Sequence, residues 1–166
     1  MNSKKTIRVE HVTRVEGHGN IHIEIRNGEV EQCLWQIVEA PRFFEAMVRE
    51  RKWHETAHIT ARICGICSIG HTVASLKATE TAMGVAVSGQ TQDLRKLILH
   101  GENMQSHILH VGYLVLPDLL GVPSVIPLAS THRDQVLLVM RLHRLASEMS
   151  DLIGGRTTPP QRLVEG

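Results

Sequence analysis

The chain has 166 residues, 42% of them hydrophobic and 21% charged, with a formal net charge of +1. That length can bury a core of its own, which sets aside disorder and disulfide-stapled miniproteins. The near balance of charge leaves no basic footprint for nucleic acid, and two Phe, two Trp and one Tyr offer little surface for base stacking.

In chain order, residues 1–40 read as an N-terminal β-hairpin region. Met1-Asn2-Ser3-Lys4-Lys5 runs into a charged, strand-like segment with Ile7 and Val9, and no apolar export region precedes it. Ile21, Ile23 and Ile25 then alternate with His22, Glu24 and Arg26, the period of a half-buried strand. Asn27-Gly28 predicts a tight hairpin because both turn positions need positive φ, and Val30 to Val38 returns as the partner strand.

Residues 41–166 read as a helical region. Pro41 suits a first helical turn, with Phe44, Met47 and Val48 on one face. The pattern predicts a helix from Ser68 to Val87 that stops near Ser88-Gly89. A long helix follows, capped by Thr91, with apolar positions Leu94, Leu97, Ile98, Met104, Ile108, Val111 and Val115. Pro117 and Gly121 mark its end, and Pro123 and Pro127 fall in a loop. A last helix carries Val136, Met140, Leu145, Met149 and Leu152 and stops at Gly154-Gly155. The fold class is therefore α+β: a short antiparallel sheet followed by a mainly helical bundle. Tyr113 to Ala129 is the most apolar stretch, but Asp118 and its prolines argue against a membrane span. A cytoplasmic location is the expectation.

Arg62-Ile63-Cys64-Gly65-Ile66-Cys67-Ser68-Ile69-Gly70-His71 is the most informative segment. Two thiols three positions apart at a helix start can hold one soft metal, and the helix N-terminus favours the thiolate. His71, four residues past Cys67, can ligate or donate to a sulfur. Three chemistries fit: structural zinc with a further ligand from Cys33 or from His54 and His58, a thioredoxin-like dithiol, or a redox metal completed from elsewhere. The helical flank before the motif weighs against the dithiol. Glu16, between Arg14 and His18 in a Gly-rich turn, can relay protons or be simply solvated. Glu45 on a helix is a hard-metal ligand or a snorkelling carboxylate. Of the 11 His, His100, His107 and His110 on the long helix read as packing or surface residues. Cys33 reads as a small buried apolar residue in a strand.

Arg14-Val15-Glu16-Gly17-His18, Pro41-Arg42-Phe43-Phe44-Glu45 and the Cys64 to His71 segment, in this order, resemble the large, catalytic subunit of [NiFe]-hydrogenases. The Pro-Arg-Phe-Phe-Glu form is most similar to the cytoplasmic branch. The resemblance implies reversible heterolytic oxidation of H2 to protons and electrons. It implies that Cys64 is a terminal nickel thiolate and that Cys67 bridges nickel to an iron holding carbon monoxide and cyanide. His71 would tune the bridging sulfur, Glu16 would accept the proton, and Glu45 would help hold a magnesium or iron ion. The implied partners are a small subunit carrying iron–sulfur clusters and further electron-transfer subunits.

Two departures stand out. The family draws two more nickel thiolates from a second Cys-x-x-Cys, and no cysteine follows Cys67 here. Pro159 also stands where the family's Gly-Arg-x-x-His-Pro segment has its histidine. The expectation is the N-terminal portion of a catalytic subunit, completed by a C-terminal half with the second Cys-x-x-Cys. The alternatives are a truncated non-catalytic relative, or a small module holding zinc on Cys64, Cys67 and His71. The cysteine-free homologue in respiratory complex I is disfavoured by the two thiols.

Overall fold

Three strands and a series of helices give the α+β class read from the sequence. The computed structural model describes residues 3–166; Met1 and Asn2, the start of the charged N-terminal segment, lie outside the described residues. Two units make up the chain, one ending at Phe43 and one beginning at Phe44.

In the first unit β1 (Lys4–Val9), β2 (Gly19–Arg26) and β3 (Glu29–Ile37) form an antiparallel sheet in the order β1-β2-β3. Asn27 and Gly28 take φ of 52° and 87°, as a tight hairpin requires. Register runs Ile7 to Ile23 and Ile23 to Cys33, with an irregularity between Glu24 and Ile25. The alternation of β2 does not translate into an inside and an outside. Apart from Gly19 and Arg26 its residues are all half-buried, because the neighbouring strands cover its edges while both faces stay partly open. Every residue of β3 is exposed. Cys33 is therefore exposed, not the buried apolar residue expected.

Helix α1 (Pro41–Val48) starts on its proline as predicted, and α2 (Trp53–Thr60) follows. The Lys52 amide donates to Glu55 Oε2 at 3.0 Å to fasten the first turn of α2. Helix α3 (Ser68–Met83) ends on Gly84 at φ 68°, earlier than the predicted Val87, because a left-handed glycine is available there. Helix α4 (Gly89–Leu109) is capped by Ser88, whose Oγ accepts the Thr91 amide at 3.1 Å. Thr91 is thus the third residue of the helix and not its cap. A π-helical segment (His110–Val115) leads into α5 (Leu116–Leu119), and Gly121 at φ 66° ends the run.

Helix α6 (Val125–Thr131) replaces the loop expected around Pro127. Proline is compatible because the first-turn N–H has no partner within the helix, and Ser124 Oγ caps the Ile126 amide. Helix α7 (Arg133–Gly154) stops at Gly155, at φ 73°.

The core of the second unit lies where α3, α4 and α7 meet: Ile69, Val73 and Ile98 are buried, with Leu99, Ile153 and Leu163 packed on them. Of the apolar positions read for α4 and α7, Ile98 lies in this core, but several others do not. Leu94, Leu97, Met104, Met140, Leu145 and Leu152 are exposed. Beside Ile98, the buried residues are Arg95, Gly101, Glu102 and Gln105 of α4 and Ala146, Ser150 and Gly154 of α7. Small residues let the two backbones approach: a Cβ on Gly101 would lie 2.5 Å from Ser150 Oγ. Gln105 Nε2 donates across the contact to Ser150 Oγ at 2.8 Å and to the Ala146 carbonyl at 3.2 Å. Among the described residues no helix is long and apolar enough to cross a membrane.

Candidate metal centre

The segment between α2 and α3 is fastened at every turn. The Arg62 and Ile63 amides donate to the Ile59 and Thr60 carbonyls at 3.1 and 3.0 Å, continuing α2 by a tightened turn. Ser68, the first residue of α3, is buried and its Oγ donates to the Ala61 carbonyl at 2.7 Å. Thr158 Oγ1 donates to the Gly65 carbonyl at 3.0 Å, tying the loop tip to the segment after α7.

Within this loop the structure brings Cys64 and Cys67 together. The Cys67 amide donates to Cys64 Sγ at 3.4 Å, and both residues are half-buried. His71 lies one turn further along α3, its amide donating to the Cys67 carbonyl at 3.2 Å. A cleft of about 290 Å³ adjoins the loop, lined by Gly65, Ile66, Gln105, Leu109, His143 and Thr158.

Behind the thiols lies a residue that sequence reasoning missed. Glu102 of α4 is buried, and its carboxylate accepts the Ile69 amide at 2.7 Å and the Gly70 amide at 2.9 Å. Burial pushes its carboxyl above the ordinary glutamate value, and the two amides hold it back in part. The signal was present in the spacing of Arg95, Ile98, Glu102 and Gln105, which places polar residues on the same face as the buried Ile98.

Glu16 lies in the first unit, exposed, in the bend before β2. The bend is closed by His11 Nδ1 and His18 Nε2 at 2.5 Å, with the rings stacked at 4.5 Å, and by the His11 amide on Asn20 Oδ1 at 2.9 Å. His11 and Arg14 take φ of 56° and 62°, so this turn is built on left-handed residues. Glu45 sits exposed on α1. His54 and His58 are exposed on α2, and His100, His107 and His110 are exposed on α4 and the start of the π-helical segment. Among the described residues no three His, Cys, Asp or Glu side chains gather into a metal site. Cys64 and Cys67 are two thiols that the structure places together at a helix start, a donor type suited to a soft metal.

Comparison with known proteins gives the pair its context. Residues 42–151 match the family model described as nickel-dependent hydrogenase, and residues 6–40 match one described as HoxL-like. The chain is 41% identical over 150 residues to the sulfhydrogenase 2 subunit alpha of Pyrococcus furiosus, covering 90% of this chain and 36% of that protein. It is 30% identical over 188 residues to the periplasmic [NiFeSe] hydrogenase large subunit of Desulfomicrobium baculatum, covering 98% and 36%. A solved NAD+-reducing [NiFe]-hydrogenase in the H2-reduced state superposes with a TM-score of 0.78 at 30% identity, covering 98% of this chain and 38% of the other. An H2-activated [NiFeSe]-hydrogenase of Dm. baculatum gives 0.68 at 28% identity, covering 99% and 38%. The chain thus spans little more than a third of the length of the relatives it matches. With the family model covering the helices that frame both thiols, the chain belongs to the nickel-dependent hydrogenases.

Proposed function

We propose that this chain contributes half of the nickel thiolates of a [NiFe]-hydrogenase catalytic subunit, which interconverts H2 with two protons and two electrons. The observation that supports this best is the Cys64–Cys67 turn, closed by the Cys67 amide on Cys64 Sγ at 3.4 Å inside the matched segment. The donor set agrees, since two thiolates suit a soft redox metal and leave it coordinatively unfinished.

The thiolates of Cys64 and Cys67 would be the residues of this chain that hold the nickel–iron centre. When bound, a nickel–iron centre with carbon monoxide and cyanide on its iron supplies the site at which H–H is split heterolytically. The chain's own residues then manage charge and protons. The Cys67 amide donates to Cys64 Sγ, and His71 would donate toward the Cys67 sulfur. Glu16 holds the released proton on a carboxylate oxygen and passes it on. Glu45 contributes an oxygen ligand to a magnesium or iron ion. The two further thiolates come from a C-terminal half of the subunit. The electrons leave through a small subunit carrying iron–sulfur clusters to further electron-transfer subunits. The Pro41 to Glu45 form supports a cytoplasmic assembly.

Metal analysis with infrared spectroscopy tests the reading. Nickel and iron with bands from carbonyl and cyanide ligands are expected; one zinc per chain without such bands overturns it. In the assembled enzyme Cys67→Ser abolishes H2 oxidation. Glu16→Gln slows H/D exchange by about 100-fold or more while the metals are retained, and unchanged exchange removes Glu16 from the relay.

A further inference from the structure

We infer that Glu102 is the positioning residue of the thiol turn: its buried carboxylate, delivered by α4, caps the first turn of α3 and so sets where Cys67 presents its sulfur. The inference rests on the reading of Cys64 and Cys67 as metal ligands.

Cys67 is the residue from which α3 departs, so the Ile69 and Gly70 amides are the second and third of the orphan donors at the helix start. A local Ser, Thr or Asp ordinarily satisfies such donors from the cap position itself. Here the acceptor comes from 32 and 33 residues away, with one carboxylate oxygen for each amide. A capping side chain at position 67 would spend its polar atom on the helix. Glu102 takes over that duty and leaves position 67 for a sulfur.

The surroundings are shaped for this contact. Glu102 is 7% exposed, a burial that a carboxylate tolerates only with strong hydrogen bonds. Gly70 has no Cβ, and one built there would stand 3.1 Å from Glu102 Oε2, inside ordinary contact distance. The same helix turn is held from its other side by Ser68 Oγ on the Ala61 carbonyl. The thiol turn is thereby gripped between α2 and α4, the α4 grip being two backbone amides on one buried carboxyl group. Carboxylates that orient metal ligands without touching the metal change affinity by about 10–100-fold when removed.

The test uses the purified protein, metal-free, with Glu102→Ala and Glu102→Gln compared with the parent after circular dichroism has established equal helix content. Amide hydrogen exchange reads the cap, and cobalt(II) titration, followed by the thiolate-to-metal charge-transfer band, reads the thiols. Glu102→Ala is expected to accelerate exchange at Ile69 and Gly70 by about ten-fold, with α7 unchanged. It should also weaken cobalt binding by about ten-fold or more and alter the band. Glu102→Gln keeps one carbonyl acceptor and falls between. A folded Glu102→Ala protein with parental protection at both amides, or with parental cobalt affinity and band shape, overturns the inference. The hydrogenase reading is decided separately by the metals and infrared bands of the loaded parent enzyme, so either can fail while the other stands.

Discussion

The two ends of α3 each hold a buried glutamate, and the two answer burial in opposite ways. At the C-terminal end Glu80 meets Arg95 in a two-pronged contact, 2.8 Å from Nη1 and 2.6 Å from Nη2. Arg95 goes on to the Val164 carbonyl at 2.8 Å, and the Gly166 amide donates to Glu80 at 3.0 Å. The guanidinium beside it holds the Glu80 carboxyl below the ordinary value. At the N-terminal end Glu102 faces backbone amides, and its carboxyl is raised by burial. The difference follows from the helix itself. Its N-terminus presents N–H groups and partial positive charge, enough to keep a carboxylate in place. Its C-terminus presents carbonyls and partial negative charge, where a glutamate needs a cation. The end that carries the thiols is thus fastened by backbone amides on Glu102, whereas the remote end carries a full ion pair.

Breaking the ion pair should cost most. Arg95→Ala leaves Glu80 buried without its cation and is expected to lower stability by about 3–5 kcal/mol, measured by urea unfolding at neutral pH. The pH sign follows from the lowered carboxyl. The contribution of Glu80 is present above its unfolded value, about 4.3, and is lost as pH falls through the lower folded value. An Arg95→Ala protein whose acid limb matches the parent's would show that the pair does not govern acid stability.

Glu102→Gln should come next, at about 1–3 kcal/mol, because one buried amide loses its acceptor. Here the sign reverses. The raised carboxyl contributes fully below its unfolded value and loses that contribution as pH rises through the folded value. The parent should therefore lose stability over that rise relative to Glu102→Gln, and parallel curves would remove the raised carboxyl from the account. Gly70→Ala sharpens the comparison with the smallest effect, below about 1 kcal/mol, since alanine's helix preference offsets the crowding at Oε2. Its mark should be spectroscopic, a displaced Glu102 carboxyl infrared band with a melting temperature close to the parent's.

Much of this was legible locally. The Asn27-Gly28 hairpin, the Pro41 start and the Gly155 stop depend on φ preferences of single residues, and each appears where it was read. The thiol pair was legible too, because a spacing of three at a helix start is a local property. What misled was hydrophobicity. Leu145 and Leu152 lie on the apolar stripe read for the last helix and are exposed, while Ala146, Ser150 and Gly154 are buried. Periodicity finds a stripe but cannot say which stripe two helices choose when small residues permit closer approach.

By itself, then, the sequence determined the element types, the tight turns, the family resemblance and the presence of two thiols at a helix start. These rest on backbone preferences and spacings within a few residues. Only the tertiary structure decided that α4 and α7 meet through Gly101 and Ser150, that Arg95 serves Glu80, and that Glu102 reaches back to the amides behind Cys67. Those pairings join residues from 15 to 49 positions apart, and the geometry of packed helices selects them where one-dimensional pattern does not.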